Sequence, residues 1–116
     1  VLMNLLCNYQ GYRGCNLILV FDAYKVPQNL GTVEKYHNIF IVYTQEAETA
    51  DSYIERVTYE LRGRKKVRVA TSDNLEQLII LGHGAVRVSA KSFHDEVMQT
   101  QQEIARIIAQ NNQKGK

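Results

Sequence analysis

The chain has 116 residues and a net charge of +2, a size that fits one domain with one hydrophobic core. Hydrophobic residues make up 45% and charged residues 22%, and no apolar run reaches the roughly 18 residues that a membrane span requires. These totals exclude a membrane protein and predict one soluble domain over residues 1–116. The small net charge does not indicate a nucleic-acid partner by itself.

The N-terminal part of the chain predicts a helix and then a strand. Apolar side chains recur at helical spacing over residues 1–10, and Gly11 and Gly14 are expected to end that helix. The continuous apolar run at 16–21 is typical of a parallel strand covered on both faces. Asp22 follows directly at its carboxyl end. Because the apolar start lacks a basic region, it is not a secretory signal, and we expect a cytoplasmic protein.

The middle of the chain predicts a loop, a strand and an amphipathic helix. The loop contains proline and glycine, and the apolar run at 39–43 gives the strand. From Glu48 to about Leu61, apolar residues at i, i+4, i+7 and i+11 line one side of a helix that Gly63 ends. Cys7 and Cys15 fit neither a metal-binding spacing nor a disulfide framework, so reduced thiols are expected. The two thiols carry no functional signal.

The last part of the chain repeats the order of strand, carboxylate and helix. A β run at 67–70 ends at Thr71-Ser72-Asp73, and a helix departs from there. A short strand at 86–88 precedes a final helix capped by Ser89 or Ser92, with a frayed polar tail over 110–116. The sum is an α/β fold in which a mainly parallel sheet is flanked by helices.

Carboxylates concentrate where the predicted strands end. Asp22 and Asp73 follow two strands, and Glu46, Glu48 and Asp51 stand at the start of the helix after a third. The carboxyl ends of parallel strands meet at one edge of a sheet, so all five should face the same rim. Converging carboxylates repel one another unless a cation intervenes, and oxygen ligands suit Mg²⁺ or Mn²⁺ better than zinc. The implied chemistry is metal-assisted hydrolysis of a phosphodiester.

Each of these acids also has a structural interpretation. Glu46 and Glu48 could serve only to complement the helix dipole, and Asp73 could be a helix N-cap. Asp22 is harder to explain in this way, because a carboxylate directly after an apolar strand needs a partner or a site. The pattern alone leaves both interpretations open.

Four short motifs resemble the NYN-domain family of the YacP type, which belongs with the PIN-like nucleases. They are Val-Phe-Asp-Ala-Tyr at 20–24, Glu-Thr-Ala-Asp at 48–51, Ala-Thr-Ser-Asp at 70–73 with Glu-Gln at 76–77, and Gly-His-Gly-Ala at 82–85. The resemblance implies a three-layer PIN-like fold and an endoribonuclease that uses Mg²⁺ or Mn²⁺. It implicates Asp51 first, then Asp22, Asp73 and Glu48, as catalytic and metal-binding residues. Some members of the family act on messenger RNA in association with the ribosome.

One departure from the family concerns its opening strand. The family begins with a strand that leads into an Asp-Gly-Tyr-Asn motif, and that motif does not occur in this sequence. The resemblance therefore implies that a central strand and one metal ligand are missing, and that catalysis by this exact polypeptide is doubtful. The sequence is then either an N-terminally truncated piece, or a neighbouring chain fills the gap as a homodimer through the open sheet edge.

Several residues are candidates for contact with RNA. Tyr24 could stack on an unpaired base, and Arg87 and Lys91 are expected near the acidic rim. The basic run at 62–68 could bind phosphates, although it should lie at the end of the sheet opposite the rim, where cations commonly complement a helix dipole. His83 is expected to be a loop residue rather than a ligand or general base.

Two other functions compete with a nuclease. A non-catalytic module that binds RNA or the ribosome would gain nothing from concentrated negative charge, which repels phosphate in the absence of metal. A phosphoacceptor or nucleotide-binding domain also gathers acids at strand ends. The sequence contains no glycine-rich phosphate loop with Lys-Ser or Lys-Thr, which argues against nucleotide binding.

Overall fold

The structure is a computed structural model of the chain that describes residues 2–23, 27–28, 30–73 and 79–114. The chain combines helices and strands, as the sequence pattern predicts for an α/β fold. In chain order the elements are α1 (Leu2–Arg13), β1 (Ile18–Phe21), β2 (Thr32–Tyr36), β3 (Ile39–Tyr43), α2 (Ala50–Leu61), β4 (Arg68–Thr71), β5 (Val86–Ser89) and α3 (Ala90–Lys114).

The first sheet has three strands in the order β1-β3-β2. β1 runs parallel to β3, with Phe21 opposite Tyr43 at their carboxyl ends. β2 pairs antiparallel with β3 through a turn at His37 and Asn38. The sequence pattern predicted a loop in place of β2, and that prediction is wrong. Its side chains are mostly exposed, so the apolar signal that reveals a buried strand is absent.

The second sheet consists of β4 and β5, which are parallel, with Arg68 opposite Val86. In the part of the chain that the structure describes, β1 pairs only with β3 and β4 only with β5, so the strands form two sheets instead of one. The expectation that β1 is covered on both faces is wrong. Its two end residues are partly open to solvent, since Ile18 is 46% exposed and Phe21 is 40% exposed. Within the described residues, each sheet therefore has a strand with an unpaired edge.

Two helices are longer than the sequence predicted. α1 continues through Gly11 and ends at Arg13, and Gly14 adopts a φ of 70° while its N–H donates to the carbonyl of Gln10. α3 extends as far as Lys114, so residues 110–114 are helical and not a frayed tail. The Ser89 hydroxyl accepts a hydrogen bond from the Ser92 N–H at 3.0 Å, which confirms Ser89 as the cap.

Apolar side chains form two clusters. One joins α1, β3 and α3 around Leu6, Tyr9, Ile39 and Val97, and the other joins β4 to the segment before β5 around Val69, Ile80 and Ala85. Ile108 on α3 is 54% exposed and lies outside the first cluster. The helices, and α3 above all, connect the two sheets.

A polar network reinforces that connection. The Tyr9 hydroxyl on α1 donates a hydrogen bond to Glu96 on α3, and the guanidinium of Arg68 on β4 donates to both oxygens of Glu96 at 2.9 and 3.0 Å. These contacts and the nearby Arg13 hold the pKa of Glu96 down, from 4.5 to about 2. The Glu96 carboxylate thus links the second sheet, through Arg68, to α1 and α3.

Both cysteines are free, as expected. Among the residues described, no helix combines the length and the apolar character needed to cross a bilayer.

Candidate functional site

Asp22 lies at the carboxyl end of β1, where the chain leaves the first sheet. Its carboxylate accepts a hydrogen bond from the backbone N–H of Ala50, the first residue of α2. The neighbouring Ala23 N–H donates to the buried hydroxyl of Thr44 at 2.9 Å, and the Thr44 N–H donates to the carbonyl of Phe21 at 3.1 Å. These bonds fix Asp22 against the N-terminus of α2, where the helix dipole favours a negative charge.

α2 begins at the same edge of the sheet. Thr49 is its N-cap, and the Thr49 hydroxyl accepts a hydrogen bond from the Ser52 N–H at 3.0 Å. Asp51 therefore stands in the first turn of the helix, directly after the residue that Asp22 contacts. The expectation that both carboxylates face one rim follows from this local geometry.

Asp73 approaches the rim from the second sheet. β4 ends at Thr71, and the Asp73 N–H donates to the Thr71 hydroxyl at 3.1 Å, which turns the chain after the strand. The proposed N-cap role of Asp73 concerns residues 74–78, which lie outside the described residues. Its carboxylate is close enough to Asp51 to act on it electrostatically.

The pKa of Asp51 is raised from its ordinary value by its surroundings. Burial raises this pKa most, and the negative charges of Asp73, Asp22 and Glu55 raise it further, in that order. Asp22, Asp51 and Asp73 thus form the acidic rim, the name used below for these three residues. Their mutual repulsion is of the kind that a bound cation relieves.

Glu48 has a different neighbour from the one that the sequence suggested. Its carboxylate forms an ion pair at 3.3 Å with Arg56, which lies on α2 eight residues further along the chain. The Glu48 side chain is only 18% exposed, so this pair is partly shielded from water. Glu48 does not appear among the charges that raise the pKa of Asp51. Its role as a fourth ligand stays a prediction.

Glu55 is an acid near the rim that was not predicted from the sequence. It follows Asp51 by four residues on α2, so the two side chains lie on the same face of the helix. Its charge contributes to the raised pKa of Asp51. The i, i+4 spacing was the available signal, but it is also the ordinary pattern of a solvated helix face.

The rim offers the right donors for a hard divalent cation but not a complete ligand set. Carboxylate oxygens are the ligands that Mg²⁺ and Mn²⁺ prefer. Over the described ranges, no three His, Cys, Asp or Glu side chains come close enough to one another to hold a metal ion. The described rim residues therefore do not make a three-ligand metal site by themselves.

The other predicted contact residues are distributed around the molecule. Arg87 on β5 and Lys91 in the first turn of α3 are exposed, and Tyr24 lies outside the described residues. Glu46 accepts a hydrogen bond from the Gln28 N–H at 2.8 Å and so holds a loop. The His83 ring bonds to the Thr58 hydroxyl at 3.0 Å, in agreement with a structural role.

Comparison with known proteins places this geometry in a family. The family described as "YacP-like NYN domain" matches residues 1–116. A protein of Bacillus subtilis (strain 168) described as "Uncharacterized protein YacP" is 38% identical over 109 residues, which cover 93% of this chain and 64% of that protein. The chain thus spans less than two thirds of the length of this curated relative.

Two solved structures share the fold. The crystal structure of Rae1 (YacP) from Bacillus subtilis superposes with a TM-score of 0.78 at 33% identity, over 98% of this chain and 66% of that one. The W164L mutant of the same protein gives a TM-score of 0.80 at 34% identity, over 97% and 65%. The PIN-like NYN architecture expected from the sequence is confirmed. With its nuclease-like fold, the chain belongs to the YacP-like NYN domain family.

Proposed function

We propose that the protein is a metal-dependent endoribonuclease that hydrolyses phosphodiester bonds at the acidic rim. The observation that carries this proposal is the convergence of Asp22, Asp51 and Asp73 at the carboxyl ends of strands from two sheets, close enough to raise the pKa of Asp51. A site that only bound RNA would gain nothing from three adjacent negative charges. A cation-assisted reaction requires them.

Each residue has a role in this proposal. Asp22, Asp51 and Asp73 would supply part of the ligand set for Mg²⁺ or Mn²⁺, with Glu48 as a further candidate, and the hydrogen bond from Ala50 keeps Asp22 oriented toward the rim. The cation, when bound, offsets the negative charge of the RNA phosphate. Arg87, Lys91 and Tyr24 are proposed to contact the RNA. The proposed substrate is messenger RNA, cleaved in association with the ribosome, as the family resemblance implies.

The test is cleavage of a labelled unstructured RNA with Mn²⁺ or with EDTA, by this chain and by a form extended to the length of the curated relatives. We expect cleavage by the extended form with Mn²⁺ only. The activity of the shorter chain then shows whether the partial ligand set is sufficient.

A non-catalytic RNA- or ribosome-binding module is the second candidate, favoured by the absence of a three-ligand metal cluster among the described residues. The same assay separates the two. If the extended form binds RNA but does not cut it with any divalent metal, free or on ribosomes, the binding module replaces the nuclease.

The ion pair of Glu48 gives a matched test of its role. If Glu48 is a ligand, Glu48→Gln should lower cleavage by about tenfold or more, since removing a carboxylate weakens a metal site. Arg56→Gln breaks the same 3.3 Å pair and should leave cleavage nearly unchanged. Equal effects of the two substitutions on cleavage and on melting temperature would assign Glu48 to the ion pair alone.

The free edge of β1 predicts self-association of this chain, which we propose to form a homodimer through that edge. Ile18 and Phe21 leave apolar surface exposed beside unpaired backbone groups. Ile18→Lys should shift the molecular weight measured by light scattering toward the monomer at high protein concentration. Leu30→Lys is the control, because Leu30 is 89% exposed and lies outside the strands. A monomeric wild type at all concentrations would contradict the proposal.

A further inference from the structure

Four cations are concentrated in the turn between α2 and β4. Arg62, Arg64, Lys65 and Lys66 are all exposed, and residues 62–66 are called the basic loop below. Within the described ranges, no ion pair joins any of these four side chains to a carboxylate, although other arginines of the chain are paired in this way. The basic loop therefore presents positive charge that the protein itself does not neutralise.

Backbone hydrogen bonds hold the basic loop in a turn. Gly63 has a φ of 73°, a conformation that favours glycine at the end of a helix. The N–H groups of Arg64 and Lys65 both donate to the carbonyl of Leu61, at 3.0 and 3.2 Å. The turn is thus closed by its own hydrogen bonds, and the cations project from a fixed support.

An aromatic side chain lies beside these cations. Tyr59 is 51% exposed, and the guanidinium of Arg62 lies 3.6 Å from the centre of its ring while donating to the Tyr59 carbonyl at 2.7 Å. The His83 ring meets Tyr59 edge-on and is itself held by Thr58. Arg62 is therefore positioned before any ligand arrives, which lowers the entropic cost of binding a phosphate.

The basic loop and the acidic rim lie at opposite ends of α2. The helix has 12 residues, and Asp51 stands in its first turn while Arg62 follows its last residue. At 1.5 Å per residue the two ends are about 18 Å apart. A polyanion in solution is attracted to the loop and repelled by the rim, so the loop is where contact begins.

We propose that the basic loop, together with Tyr59, binds the phosphate backbone of single-stranded RNA and holds the strand about one helix length from the acidic rim. Unpaired bases offer faces on which an exposed tyrosine stacks, whereas a duplex does not. The choice of RNA as the polyanion rests on the proposed function. Binding itself needs neither metal nor cleavage and is measured separately.

The test is fluorescence anisotropy of a labelled oligouridylate of about 15 nucleotides, in EDTA, at several KCl concentrations. Lys65→Gln/Lys66→Gln should weaken binding and reduce the slope of log K against log salt by about 1.4, because each lost phosphate contact on a single strand removes about 0.7. Tyr59→Leu should weaken binding about tenfold through lost stacking. Lys65→Arg/Lys66→Arg should retain wild-type binding.

The matched control is Lys35→Gln/Arg106→Gln, which removes the same charge from exposed positions on β2 and α3. Its salt slope should equal that of the wild type. Equal weakening by the loop and control variants would overturn the proposal, because only net charge would then matter. Tighter binding to phosphatidylserine vesicles than to the RNA, at equal salt, would also overturn it.

The two proposals fail independently. Loop-dependent binding by a protein that never cleaves RNA would support the basic loop and remove the nuclease. Metal-dependent cleavage by a protein whose loop variants bind RNA normally would support the nuclease and remove the basic loop as an RNA-binding site.

Discussion

Asp51→Asn should reduce RNA cleavage by the extended form at least about 100-fold, the loss expected when a metal site loses a principal ligand. Asp51 is the residue to change because the other two carboxylates of the rim both raise its pKa. Asparagine has nearly the same shape and keeps one oxygen. The loss would therefore report the missing charge and not a missing contact.

The same substitution should leave the fold intact or make it slightly more stable. A raised pKa means that the folded protein disfavours the ionised carboxylate, so ionised Asp51 opposes folding at neutral pH. Removing its charge relieves the repulsion from Asp73 and Asp22. The melting temperature of Asp51→Asn should equal or exceed that of the wild type, measured without metal by circular dichroism.

Two results would contradict this account of Asp51. Cleavage by Asp51→Asn at the wild-type rate would show that the rim is not the reactive site. A marked fall in melting temperature would show that Asp51 stabilises the fold, and lost cleavage would then have a structural explanation. Asp95→Asn is the control, since Asp95 is an exposed acid on α3 that lies beside His94.

Glu96→Gln should lower the free energy of unfolding by about 2 kcal/mol, in the range measured for hydrogen bonds to charged groups. The substitution removes the charge that Arg68 binds through both guanidinium nitrogens and leaves Tyr9, which is 5% exposed, with a weaker acceptor. Urea unfolding followed by circular dichroism measures the change. Glu103→Gln is the matched control, because it breaks an exposed pair with Arg106 on the same helix and should have little effect.

The contribution of Glu96 should depend on pH in a defined window. Its pKa is about 2 in the folded protein and 4.5 ordinarily, so the carboxylate stabilises the fold at every pH above about 4.5. That stability is lost as the pH falls from about 4.5 toward 2, where the folded protein takes up the proton. Wild type and Glu96→Gln should therefore converge in stability below this window. A constant difference between them from pH 7 to pH 2 would contradict the assignment.

The elements that the sequence revealed are those with a strong local pattern. β1 and β3 are continuous apolar runs, and α2 carries apolar residues at helical spacing. β2 was missed because nearly all of it faces solvent, and its place is set by pairing with β3 instead of by its own composition. Local pattern cannot indicate a strand of this kind.

The candidate site was predictable to a similar degree. The rule that carboxyl ends of parallel strands share an edge accounts for Asp22 and the start of α2, whereas Asp73 approaches Asp51 from a second sheet. The same rule could not show that Glu48 forms an ion pair with Arg56, because the partner of a side chain depends on its rotamer, which sequence spacing alone does not fix. The bond between Arg68 and Glu96 joins residues 28 positions apart, and no periodicity signals it.

The division of the strands into two sheets affects how the chain can vary. Asp22 belongs to one sheet and Asp73 follows the other, and in the described residues no strand pairing joins them, so their spacing is set by how α3 packs against α1, β4 and β5. A larger or smaller side chain at Val97 would shift that packing and move one acid relative to the other. On the proposed function, a change of side-chain volume at Val97 would therefore lower cleavage from a position remote from the acidic rim.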